Sequence, residues 1–117
     1  MYRILSTSRN VHLLLSRNNS LAMAGFSVIS PKQPEDAPQL ASHEQVDAVV
    51  IGHSVDAVTR KKLIFELRRL CPGCLICFVY VSPDTGEEPL ADFSLDVTKG
   101  PEALIMALQE RLPSRKH

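Results

Sequence analysis

The strongest signal along the chain is a short continuous apolar run, Ala48-Val49-Val50-Ile51, which stops at Gly52. A run this short, without polar alternation and closed by a turn residue, predicts a strand buried on both faces, from about Val46 to Ile51. Leu75 to Val81 is a second such run. Shorter strands are predicted at Tyr2–Thr7, Phe26–Ser30 and Phe93–Val97. Between them the apolar spacing turns helical. Val11, Leu14, Leu15, Leu21 and Ala22 predict a helix over Val11–Ala24, with Asn18 a polar intruder, Ser8 or Asn10 as its N-cap and Gly25 as its C-terminal stop. Val58, Leu63, Ile64, Leu67 and Leu70 predict a helix over Asp56–Leu70, ended by Pro72-Gly73. Leu104, Ile105, Leu108 and Leu112 predict a last one, with Pro101 at its first position.

Pro31, Pro34 and Pro38 break the segment from Pro31 to Gln45, where only a short helix around Gln39–Glu44 is expected. Ser82–Pro89 reads as a loop with turn chemistry at Pro83-Asp84-Thr85-Gly86. Strands alternating with helices predict an α/β fold, a parallel sheet with right-handed crossovers and helices on both faces. The helix between the last two strands is expected to be short or missing. One domain over residues 1–112 and a frayed tail at 113–117 follow.

Composition narrows the function classes. At 117 residues the chain fits one domain, burying roughly 65% of its unfolded surface without metal or disulfide. Thirteen basic and thirteen acidic residues cancel, so no global field gathers nucleic acid or an anionic membrane. Trp is absent, which weakens base stacking further. Leu13-Leu14-Leu15 is too short for a signal or a membrane span, and a cytoplasmic location is expected. No cofactor is expected.

Three motifs invite chemistry. Cys71-Pro72-Gly73-Cys74, extended by Cys77, has redox-dithiol spacing, but it follows a helix, whereas a low thiol pKa needs a helix N-terminus. A small redox or metal-binding protein using Cys71 and Cys74 is the alternative this motif supports. Arg60-Lys61-Lys62 and Arg68-Arg69 form a basic strip expected to face solvent. His53 and Ser54 follow the central strand, where ligands gather in such sheets.

The order of elements resembles the receiver domain of two-component signalling. The resemblance rests on Arg3-Ile4-Leu5, Ala24-Gly25-Phe26, Asp47-Ala48-Val49-Val50-Ile51, Ala91-Asp92 and Gly100-Pro101-Glu102-Ala103-Leu104. It implies a flavodoxin-like five-stranded sheet in the order 2-1-3-4-5. It also implies a phosphoryl-transfer set: an acceptor Asp, an acidic pair holding Mg²⁺, a hydroxyl and a Lys. Here Gly52 falls at the acceptor position, Ser8 and Arg9 at the acidic pair, Val79 at the hydroxyl and Val97 at the Lys. Lys99 lies two residues beyond, and Ser94, beside Phe93, takes the aromatic switch position.

The resemblance is therefore to a degenerate receiver, a pseudo-receiver. The function it implies is non-catalytic, phosphorylation-independent recognition of a protein partner. His53, Ser54 and Lys99 remain as a residual site, with a relocated phosphoacceptor as a further alternative. Ser8 with Arg9 offers an anion contact where the metal would sit.

Overall fold

The computed structural model describes residues 1–81 and 88–112. The loop expected at Ser82–Pro89 falls mostly outside the described residues, and the tail at 113–117 wholly so. The elements are β1 (Arg3–Thr7), α1 (Val11–Met23), β2 (Ser27–Ile29), α2 (Ala37–Glu44), β3 (Ala48–Ile51), α3 (Ala57–Leu70), β4 (Leu75–Tyr80), β5 (Phe93–Asp96) and α4 (Pro101–Arg111). Single 3-10 turns precede α2 and follow β5. The five strands form one all-parallel sheet in the order β2-β1-β3-β4-β5. This is the α/β, flavodoxin-like arrangement expected. Between β4 and β5 no helix occurs among the described residues.

Strand alternation divides the core into two layers. Leu5, Val49, Ile51, Ile76 and Phe78 meet α2 and α3 through Ala41, Leu63, Ile64 and Leu67. Ile4, Ala48, Val50, Cys77 and Val79 meet α1 and α4 through Leu21, Leu104 and Leu108. Every residue of β3 is fully buried, as the unbroken apolar run requires. The carboxyl ends of β1 and β3 are level, Thr7 pairing with Ile51.

Capping is local and specific. Asn10, not Ser8, caps α1, its Oδ1 accepting from Leu13 N–H at 3.1 Å. At the other end Gly25 has φ +98°, and Gly25 and Phe26 N–H donate to the Ala22 and Leu21 carbonyls, closing a Schellman turn. Pro34 and Pro38, expected only as breaks, sit in first helical turns, where a missing N–H costs nothing.

Two helix faces differ from expectation. Val11 and Leu15 are each 61% exposed, and the inner line of α1 runs through Leu14, Arg17, Asn18 and Leu21. On α3, Val58 is exposed while Arg60 turns inward. Arg60 therefore does not belong to the solvent-facing basic strip. Its Nε donates to Glu88 Oε1 at 2.7 Å and its guanidinium lies 4.2 Å from the Phe78 ring centroid. Among the described residues no helix is long and apolar enough to cross a membrane.

Candidate functional site

The tips of β1, β3, β4 and β5 converge where such sheets gather ligands. Gly52 directly follows β3 and is buried. Its N–H donates to Thr7 O at 3.1 Å. A Cβ placed on it would lie 2.9 Å from Arg17 Nη2, 3.0 Å from Thr7 O and 3.3 Å from Ser8 Cβ. The absence of a side chain at Gly52 thus makes room for a guanidinium from the neighbouring helix.

Arg17 is the residue that pattern reading missed. From the inner line of α1 its Nη1 donates to Ser6 Oγ at 3.0 Å and to Thr7 O at 2.9 Å. No carboxylate pairs with it among the described residues. Burial pushes its pKa down to about 10, only partly opposed by Cys77. The one signal in the sequence was an Arg at the i+3 position from Leu14 and i−4 from Leu21, on the line the sheet covers.

Ser8 and Arg9 follow β1, as expected, but their side chains part. Ser8 Oγ lies 2.9 Å from Ser54 Oγ, which also accepts from Arg9 N–H at 2.8 Å. The Arg9 guanidinium turns outward to Glu35, 2.7 Å away, with Asp56 at 4.0 Å. The hydrogen bond between them raises Arg9 and holds the Glu35 carboxyl below its ordinary value. Asp56 is held low mainly by its hydrogen bonds from Thr59, at the start of α3. The Arg9 guanidinium thus faces carboxylates on the outer side of the loop, away from the Ser8 hydroxyl with which an anion contact is expected. The positive charge beside Gly52 is that of Arg17.

Ser54 is half-buried and ties the β3–α3 loop to the β1–α1 loop, rather than standing free. Ser54→Ala is expected to cost about 1 kcal/mol. It should also speed amide exchange at Arg9, measured by denaturant unfolding and hydrogen exchange. Unchanged stability and exchange would show that the hydroxyl holds neither loop.

Val79 is buried in β4, and Val97 begins the turn after β5. Both line a cavity of about 140 Å³ between α1 and α4, together with Arg17 and His53. Lys99 is exposed in that turn, and Ser94 Oγ accepts from Glu88 N–H at 3.0 Å.

The cysteines form no disulfide. Cys74 and Cys77 are buried, and burial pushes both thiols up to about 12, with Cys71 adding to the effect at Cys74. Cys71 Sγ points at the Ala41 and Val46 carbonyls, 3.9 and 3.8 Å away. A neutral-pH thiolate is disfavoured at both buried positions. Among the described residues no group of three or more His, Cys, Asp or Glu side chains gathers as a metal site would.

No family model and no curated protein sequence matches the chain. Solved structures do. The CheY-like response regulator receiver domain protein from Methanospirillum hungatei JF-1 superposes with a TM-score of 0.81 at 18% identity, over 96% of this chain and 94% of that one. The N-terminal domain of the nisin resistance regulator NsrR, a lantibiotic response regulator, gives 0.82 at 17%, over 97% and 99%. The response regulator receiver domain (CheY-like) from Methylobacillus flagellatus gives 0.78 at 23%, over 94% and 98%. At these identities the likeness is one of fold, and the fold is that of receiver domains.

Proposed function

We infer that the chain is a receiver-like signalling module that recognises a protein partner without accepting a phosphoryl group. The observation that carries this reading is the pairing of Gly52 with Arg17. Where an acceptor carboxylate would project from the tip of β3 there is no side chain, and a guanidinium stands beside the position. Ser8, Arg9, Val79 and Val97 supply no carboxylate, hydroxyl or amine in the arrangement phosphoryl transfer needs: hard oxygens for Mg²⁺ and a cation for the transferred charge. A cation in the metal's neighbourhood repels Mg²⁺ rather than binding it.

Binding, by contrast, has surface to work with. The outer face of α3 exposes Val58 and Phe65 beside Lys61 and Lys62, an apolar patch with a basic rim. The isolated domain, with its zero net charge, is better suited to a protein than to nucleic acid.

Incubation with acetyl phosphate and Mg²⁺ followed by intact-mass measurement tests the reading. The wild-type chain is expected to gain no phosphoryl mass. Gly52→Asp is expected to gain none either, because the metal ligands remain missing. A phosphoryl group mapped to His53 or Ser54 would overturn the reading in favour of a relocated acceptor.

A further inference from the structure

Arg17 has five N–H donors, and the structure accounts for two. Both Nη1 hydrogens are taken, by Ser6 Oγ and Thr7 O. Nε and Nη2, which share one edge of the guanidinium, find no protein acceptor among the described residues, yet neither is sealed away from a small molecule. That edge is the fork that accepts a carboxylate through two parallel hydrogen bonds. A largely buried cation without a carboxylate partner is rare, because burial penalises its charge unless an anion compensates.

Arg17 also lines the cavity of about 140 Å³ between α1 and α4. Its other walls are largely hydrocarbon, from Leu13, Val79, Leu95, Val97, Pro101 and Leu104. For scale, a cavity of about 150 Å³ with apolar walls holds benzene. Among the described residues Asp96 is the one acidic residue of the lining, and its Oδ1 is already engaged by Thr98 N–H at 2.9 Å and the Thr98 hydroxyl at 2.7 Å. One cation facing one engaged carboxylate suits a single negative charge better than a dianion. The volume and the walls suit a compact apolar body rather than a sugar or a nucleotide.

We propose that this cavity binds a small organic monoanion of about six to nine heavy atoms in all, a carboxylate on an apolar body, with the carboxylate on the Nε–Nη2 edge of Arg17. The site is independent of the phosphorylation reading, since it uses neither Gly52 as an acceptor nor any metal. Its occupancy would place a metabolite between α1 and α4, next to the vestigial centre.

Titration of the full chain with benzoate and with isovalerate tests the proposal. The readouts are proton–nitrogen correlation spectra that include the Arg17 Nε–H peak, and thermal melting. Saturable movement of that peak is expected with a dissociation constant of ~1 mM or tighter, an affinity that so few atoms can supply. Benzyl alcohol, acetate and inorganic phosphate, each lacking the charge, the body or the single charge, should bind at least tenfold more weakly. Arg17→Gln should weaken benzoate at least tenfold. Should that variant fail to fold, Arg17→Lys keeps the charge without the fork, and Ala103→Leu fills the cavity from α4 without touching the charge. Both should weaken benzoate. Equal binding of benzyl alcohol or phosphate, unchanged benzoate affinity in Ala103→Leu, or no saturable response to either carboxylate would overturn the proposal.

Discussion

Glu88→Gln is expected to destabilise the fold by about 3–5 kcal/mol, although it changes neither the size nor the shape of the side chain. The Glu88 side chain is 1% exposed and that of Arg60 is 9% exposed. Oε1 accepts from Arg60 at 2.7 Å and Oε2 from Leu90 N–H at 3.1 Å. Glutamine keeps an acceptor for one of these and removes the negative charge, leaving the Arg60 cation buried against the Phe78 ring and the Val55 carbonyl, with no other partner among the described residues. Denaturant unfolding measures the loss. Arg60→Met combined with Glu88→Leu should recover most of it, because a buried ion pair replaced by apolar side chains is often neutral or better.

The same pair sets an acid limit. Burial alone would raise the Glu88 carboxyl. The hydrogen bonds from Arg60 and Leu90 and the charges of Arg60 and Lys61 outweigh it and hold the carboxyl below its ordinary 4.5. Its contribution is therefore complete above pH 4.5 and is lost as the pH falls through the lower folded-state value. The Glu88→Gln protein should lack that part of the acid slope. Wild-type stability flat down to the acid end would contradict the assignment.

Arg17→Met is expected to leave stability within about 1 kcal/mol of wild type, although it removes a buried cation and its hydrogen bonds. Lowering a guanidinium from 12.5 to about 10 corresponds to roughly 3 kcal/mol of charging penalty in the folded chain. Against that stand two hydrogen bonds, to Ser6 and Thr7, of about 1 kcal/mol each, and about 1 kcal/mol more for the buried Ser6 hydroxyl that methionine leaves unpaired. Methionine keeps the stem and removes the charge. The penalty is carried in full below pH 10 and relieved above it, where the folded chain gives up the proton before the unfolded chain does. A thermal midpoint well below wild type for Arg17→Met would mean that Arg17 is already compensated.

How far the sequence could be read follows from which signals were local. The unbroken apolar runs at Ala48–Ile51 and Leu75–Tyr80 point to strands covered on both sides and, with the helical spacing between them, to the alternation, whereas the sheet order was legible only through the resemblance to receiver domains. Gly52 was legible as an unusual residue at a strand tip, but its reason lay in a side chain from another helix. On α1 two apolar stripes compete, and spacing alone favours the one through Val11 and Leu15. The sheet covers the other because Arg17 and Asn18 meet polar groups there, Ser6 and Ser30. Arg60 looked like one more member of a basic run. Only its partner, 28 positions away, turns it inward. Charge-pattern reading sees neighbours along the chain, and these two arginines are explained by residues far along it.

The sheet's outer strands carry a consequence for association. β2 has three residues and β5 four, and Pro31 follows closely on β2. Such brief borders expose few unpaired amides, so they template poorly for a strand from a second molecule. Self-assembly through cross-strand zippering is thereby discouraged, and any dimer this chain forms is expected to dock by its helices.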